Sequence, residues 1–164
     1  MMEIQNHTKS TNHRNHKLEK INAWKFELFQ NNHLIDKIIN FNIIPDVGLL
    51  EMQKRELGIS HTSNAYHAIG TGNNPESESD TALQTEIARK SVGNRTLVGT
   101  QAQYRTEWSI SDFAGNTADV IEGGLFTNST GGVLMARVVN DVALTLSGTK
   151  TLTTTVYGEL GRGV

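Results

Sequence analysis

The sequence predicts a mainly β protein: an antiparallel β-sandwich, jelly-roll-like, with one short α-helix and an extended amino-terminal arm. Three observations carry this. Beyond position 100, apolar and polar residues alternate along short runs, as they do where a strand sets one face on a core and the other in water. The chain has 15 glycines against two prolines, a balance that suits tight turns joining many short elements. Only the stretch after Pro45 carries a convincing helical face. The implied organisation is an arm over 1–22, a sandwich domain over 23–158 and a glycine-rich tail over 159–164.

The arm is polar, with Lys9, Arg14, Lys17 and Lys20 outnumbering Glu3 and Glu19, and it has no sustained apolar period. It cannot bury enough surface to fold alone, so it is expected to lie on a neighbouring protomer, anchored by Ile4, Leu18 and Ile21. Trp24 to Asn42 predicts a hairpin turning at Gln30-Asn31-Asn32, with a helix as the competing reading of 34–41. Asp46 is the expected N-cap and Gly58 the expected residue after the C-cap. Val47, Leu50 and Leu57 share the face expected to be buried.

The stretch from Tyr66 to Arg89 reads as a strand ending at Gly70, a turn through Thr71 to Pro75, and an acidic, serine-rich loop from Glu76 to Asp80. Leu83 and Ile87 then stand at the spacing of one helical turn. Gln101 to Ser111 alternates, with Ala102, Tyr104, Thr106, Trp108 and Ile110 on one face. Asp119 to Thr127 is a strand interrupted at Gly123-Gly124, which predicts a bulge or a close backbone approach. Val133 to Val139 is apolar on both faces apart from Arg137 and reads as a central strand; Val142 to Leu146 reads as a further one. Thr149 to Tyr157 is rich in β-branched residues, with Leu152, Thr154 and Val156 on one side.

Composition narrows the function. A length of 164 residues suits one domain with a real core, and 37% apolar content is low for a compact enzyme. A net charge of -2 argues against nucleic acid as the principal partner, although the basic arm leaves contact with packaged nucleic acid open. The absence of cysteine removes disulfides, thiolate metal sites and a Cys nucleophile. No apolar run reaches about 18 residues, so no membrane-spanning helix is expected, and the amino end lacks the apolar core of a signal peptide.

Candidate chemistry is sparse. His7, His13 and His16 lie in the arm, which fixes no ligand geometry, and His61 and His67 flank a strand start. Asn73, Asn74, Glu76, Glu78 and Asp80 offer oxygen ligands without EF-hand spacing, and a solvated charge run is the expected reading. Asp112, Asn116 and Asp119 are a weaker set, and Asp112 is expected to form an Asx-turn. Gly70-Thr71-Gly72 lacks the Gly-Lys-Ser/Thr of a phosphate loop. Glu107 and Glu122 could form a glycosidase-like pair, but the wet face of a strand or pairing with Arg105 or Arg137 explains each as well. Tyr104, Trp108, Phe113 and Phe126 could line a sugar-binding face, with core packing the default. No metal, cofactor or catalytic residue is expected, and the chain is not read as an enzyme.

Several motifs occur in a fixed order: the hairpin from Trp24, then NFNIIPDVGLLEMQKRELG, then YHAIGTGNNPESESDTALQTEIAR. Glu122-Gly123-Gly124-Leu125-Phe126 and Gly131-Gly132-Val133-Leu134-Met135-Ala136-Arg137 follow. Over about residues 24–157 this order resembles small structural proteins of tailed phages and related viruses. The resemblance implies a β-rich virion component with no catalytic residues: a repeated subunit of a capsid surface, neck or tail. Its partners would be copies of itself and other virion proteins. The alternative is a receptor- or carbohydrate-binding module of a viral tail or spike, touching a host-surface receptor or glycan. Glu86 and Arg89 are expected to pair, and Arg89 or Arg137 to meet Glu122, as structural ion pairs beneath the glycine bends.

Overall fold

A computed structural model describes residues 6–8 and 22–159. Its strands are β1 (Asn6–Thr8), β2 (Asn22–Gln30), β3 (His33–Phe41), β4 (Tyr66–Gly70), β5 (Glu86–Ser91), β6 (Asn94–Val98), β7 (Gln101–Ser109), β8 (Thr117–Phe126), β9 (Leu134–Ser147) and β10 (Lys150–Glu159). Helix α1 spans Asp46–Glu56. One sheet has the order β1-β3-β2-β10-β7-β6 and the other β5-β4-β8-β9. Every pairing is antiparallel except that of β1 with β3. The protein is thus mainly β, in two sheets with one α-helix, as the alternation requires.

The first core lies between the sheets. Alternation on β2 turns Trp24, Phe26 and Leu28 inward, and β7 and β10 add Trp108, Leu152 and Val156. Ile69, Val120, Leu125, Val138, Leu144 and Leu146 face them from the other sheet. Each fully buried side chain of this size contributes about 1.5–3 kcal/mol of transfer free energy. The expected hairpin forms, and its turn uses Asn31 at φ 50° and Asn32 at φ 64°. Two successive positive φ values match the strand twist, and Asn tolerates them better than other side chains do.

A second core lies on the far side of the four-stranded sheet. Ala68, Leu83, Phe126 and Leu134 pack there with Val47 of α1 and Tyr66. This sheet is therefore covered on both faces, and that corrects two expectations. The stretch Val133 to Val139 is apolar because both faces are covered, not because it is central: β9 is an edge strand. The separate strand over Val142 to Leu146 is the continuation of the same β9, with its pairing to β8 shifting register between Val120 and Glu122.

Three local expectations also change. Pro45, not Asp46, occupies the N-cap of α1, and Asp46 begins the first turn. Gly58 does take positive φ beyond the helix, at 67°. The helix buries Gly48 and Glu51, whereas Leu50 and Leu57 are exposed. A Cβ on Gly48 would lie 2.9 Å from the Leu134 carbonyl, so the helix lies against β9 along its bare glycine. Leu83 and Ile87 share no helical turn: Leu83 packs from the loop, and Ile87 belongs to β5. Arm residues Asn6–Thr8 pair with β3 of their own chain, while Ile4, Leu18 and Ile21 lie outside the described residues.

Candidate functional site

The densest polar cluster lies where the crossing between β4 and β5 passes over β8 and β9. Glu122, on β8, is fully buried. Its Oε1 accepts from the backbone N–H groups of Thr85 at 2.7 Å and Gly72 at 3.2 Å. Its Oε2 accepts from the N–H of Gln84 at 3.0 Å and from Arg137 Nη2 at 2.9 Å and Nε at 3.2 Å. Arg137, on β9, is also buried. Its Nη1 donates to Asp80 at 2.7 Å, and its Nη2 donates to the Asn74 carbonyl at 3.2 Å. Burial pulls the Arg137 pKa down, but the bonds to Asp80 and Glu122 more than offset this and hold it above its ordinary value.

This arrangement explains the Gly70-Thr71-Gly72 turn. A Cβ on Gly70 would lie 2.6 Å from Glu122 Oε1, and one on Gly72 would lie 2.5 Å from the same atom. Those glycines make room for a carboxylate of the protein, not for a phosphate. Gly124 stands opposite Arg137 across the ladder, and its missing side chain leaves room for Leu83 and Phe126.

A second arginine fastens the neighbouring turn. Arg89 pairs with Glu86 at 2.6 Å and donates from Nη1 to the carbonyls of Gly131 at 2.7 Å and Asn128 at 3.0 Å. Its guanidinium stacks 3.6 Å from the Phe126 ring centroid. Glu86 and Arg89 would face opposite ways in a regular strand. In β5, Ala88 pairs with Ile69 and Glu86 with Gly70, so Ile87 is an extra residue. That bulge returns Glu86 to the face of Arg89.

The structure thus joins Glu122 to Arg137 and Glu86 to Arg89, and keeps Arg89 away from Glu122. It also engages two carboxylates expected to be solvated. Asp80 holds Arg137, and Glu76 accepts the N–H of Val139 at 2.7 Å. An acidic run with several serines gives no signal that it faces a buried guanidinium. Chemically, the cluster is a clamp: the bonds named above occupy both oxygens of Glu122, and they fix a long loop onto a sheet.

The other candidates separate. Glu107 is exposed on β7 and paired with Arg105 at 2.9 Å, on the opposite sheet from Glu122. Trp108 and Phe126 are buried, and Tyr104 and Phe113 are half-buried. Asp112 makes no Asx-turn: it reaches back to the N–H of Ser109 at 2.8 Å and pairs with Lys90 at 2.8 Å. Burial raises its pKa, and those bonds outweigh that and leave it low. His61 is exposed. His67 is fully buried, its Nδ1 lies 3.0 Å from Thr154 Oγ1, and its Nε2 has no partner among the described residues. Burial lowers its pKa to about 3. The side chain of His7 lies outside the description, as do His13 and His16. Among the described residues, no three His, Asp or Glu side chains are grouped to hold a metal ion.

Two features carried no signal in the sequence. Glu51, buried on α1, accepts hydroxyl hydrogen bonds from Ser60 and Thr62, and these lower its pKa. They fold the loop after α1 back onto the helix. The second feature is exposed apolar surface. On α1 and just beyond it, Leu57 and Ile59 are 72% and 69% exposed, beside Leu49 and Leu50. On the edge strand β6, Leu97 and Val98 are 73% and 59% exposed. No family model matches the chain, and no curated protein or solved structure matches it.

Proposed function

We propose that the chain is a virion structural protein. It is a repeated subunit of a capsid surface, neck or tail assembly, and it works through contacts with its own copies and with other virion proteins. The observation that carries this is the contrast between interior and surface. Charged groups in the interior are spent on one another, at Glu122, Arg137 and Asp80, while large apolar side chains stand in water on α1 and β6. The resemblance of the motif order to small viral structural proteins supports the same reading. The charged motif residues Glu122, Arg137, Glu86 and Arg89 all serve to fasten a loop or a turn.

The receptor- or glycan-binding reading needs an exposed aromatic platform. Trp108 and Phe126 are both buried, so that reading lacks the feature that would favour it.

The test joins two measurements. Native mass determination of the full chain across a range of concentrations should give a discrete oligomer. Antibody labelling of particles from producing cells should place it at regular positions on head, neck or tail. A monomer at every concentration, absent from particles, would overturn the proposal.

A further inference from the structure

Strand β1 is a three-residue strand lying parallel on the outer edge of β3, with Asn6 opposite Lys37, His7 opposite Ile38 and Thr8 opposite Ile39. Without it, the β3 edge would present unpaired N–H and C=O groups to solvent. The connection from β1 to the domain is far longer than this placement needs. Thr8 is in register with Ile39, and Ala23 with Phe41, with β3 between β1 and β2. At about 4.8 Å between strands and about 3.3 Å per residue, Thr8 and Asn22 stand roughly 14 Å apart. Thirteen residues, 9 to 21, join them. Extended, that many residues reach about 43–47 Å, roughly three times the span.

We propose that β1 is exchanged between copies: Asn6–Thr8 of one chain occupies the β3 edge of its neighbour, in the register that it also takes on its own. This rests on the reading of the chain as a repeated subunit and names the surface through which copies join. The acceptor edge is identical in the two arrangements, so exchange trades equivalent main-chain bonds and adds no strain. A surplus of about 30 Å in the connection lets β1 reach a second copy seated beside the first. Three residues of pairing form a weak contact alone. In an assembly, where a neighbouring edge is held at high effective concentration, they become a persistent one. Each β3 edge is then capped by the next copy, so that this edge is not left open to recruit further chains.

Cysteine scanning tests this directly, because the natural chain has no cysteine. Full-length Asn6→Cys and Lys37→Cys variants are prepared singly, mixed at assembling concentration and oxidised. Exchange predicts a disulfide-linked pair at twice the chain mass, rising with concentration and lost on reduction. Thr8→Cys mixed with Ile39→Cys tests the same register if the first pair perturbs folding. Asn6→Cys mixed with Arg95→Cys, on the far edge of the sheet, should not link. The inference is overturned if both register pairs fail to link between chains, or if the far-edge pair links as readily. Native mass of the unaltered protein separates the two levels of the argument. An oligomer without cross-links removes only the exchange, whereas a monomer throughout removes the repeated-subunit reading as well.

Discussion

The four-stranded sheet is covered on both faces, by the other sheet on one side and by α1 and the crossing over residues 71–85 on the other. Among the described residues, the six-stranded sheet is covered only on its inner face. Its outer face carries Lys25 paired with Glu27 and Arg105 paired with Glu107, and it ends at the exposed strand β6. Where the four-stranded sheet is covered by irregular chain, loop N–H and C=O groups lose water and must be matched in place. Glu122, Arg137 and Asp80 do that matching. On the outer face of the six-stranded sheet, Thr153 and Thr155 are buried without any such cluster. Their partners in register are Glu27 and Glu107 for one, Lys25 and Arg105 for the other, and the long stems of these side chains shelter them. Buried charge thus follows buried loop, and the open sheet is left free to make contacts.

The largest test of that contrast is Glu122→Ala. It strips Arg137 of its buried partner and leaves the N–H groups of Gly72, Gln84 and Thr85 without an acceptor. Breaking one side of a buried pair costs about 3–5 kcal/mol. Denaturant unfolding should report a loss of that size, whereas Glu107→Ala, at an exposed pair, should cost less than about 1 kcal/mol. Similar losses for the two variants would end the distinction between the sheets.

The second test is acid. His67 is held neutral in the core, and its folded pKa of about 3 lies below the ordinary 6.5. Between those values the unfolded chain takes up a proton that the folded chain refuses. Stability must therefore fall as pH falls, with a slope approaching ~1.4 kcal/mol per pH unit below pH 6, or about 1.7 kcal/mol in all from pH 6.5 to pH 5. The depressed carboxyls of Glu51 and Asp112 act in the same direction, but below their ordinary values of 4.5 and 3.8. The interval from pH 5 to 6.5 consequently isolates the histidine. In His67→Gln, the slope over that interval should flatten; an unchanged slope would show that another group sets it.

The alternation of β7 was legible in the sequence because it has one wet face, β10 because it is rich in β-branched residues, and the Asn31-Asn32 turn because its residue types tolerate the left-handed region. The existence of α1 was legible, but its buried face was not. That face is built on Gly48 and Glu51, and a search for apolar periodicity passes over both. The edge position of β9 was hidden because apolar pattern reports coverage of faces and carries no information on the number of neighbouring strands. Glu122, Arg137, Glu86 and Arg89 stood out as structural pairs. The pairing of Glu86 with Arg89, though, depends on a bulge and not on a helical turn. Asp80 was missed because its partner lies 57 positions away and its neighbours are polar.

The smallest effect on stability should come from the open side, and it bears most directly on function. Leu97 on β6 and Leu57 after α1 are among the most exposed apolar side chains in the described chain. Replacing either by Asp removes little buried area, so folding stability should move by no more than about 0.5 kcal/mol. If these surfaces join copies, the same substitutions place an unpaired charge in a desolvated contact and should weaken assembly by tenfold or more, a penalty of about 1.4 kcal/mol or greater. Sedimentation of each variant against the unaltered protein, alongside a denaturant curve, reads both quantities. Weakened assembly at unchanged stability assigns the contact to the patch that was altered. Unchanged assembly in both variants would leave the β3 edge as the remaining route between copies. Joint loss of assembly and folding would show that the exposed leucines belong to the core after all, and the contrast between a sealed sheet and an open one would fail at its open end.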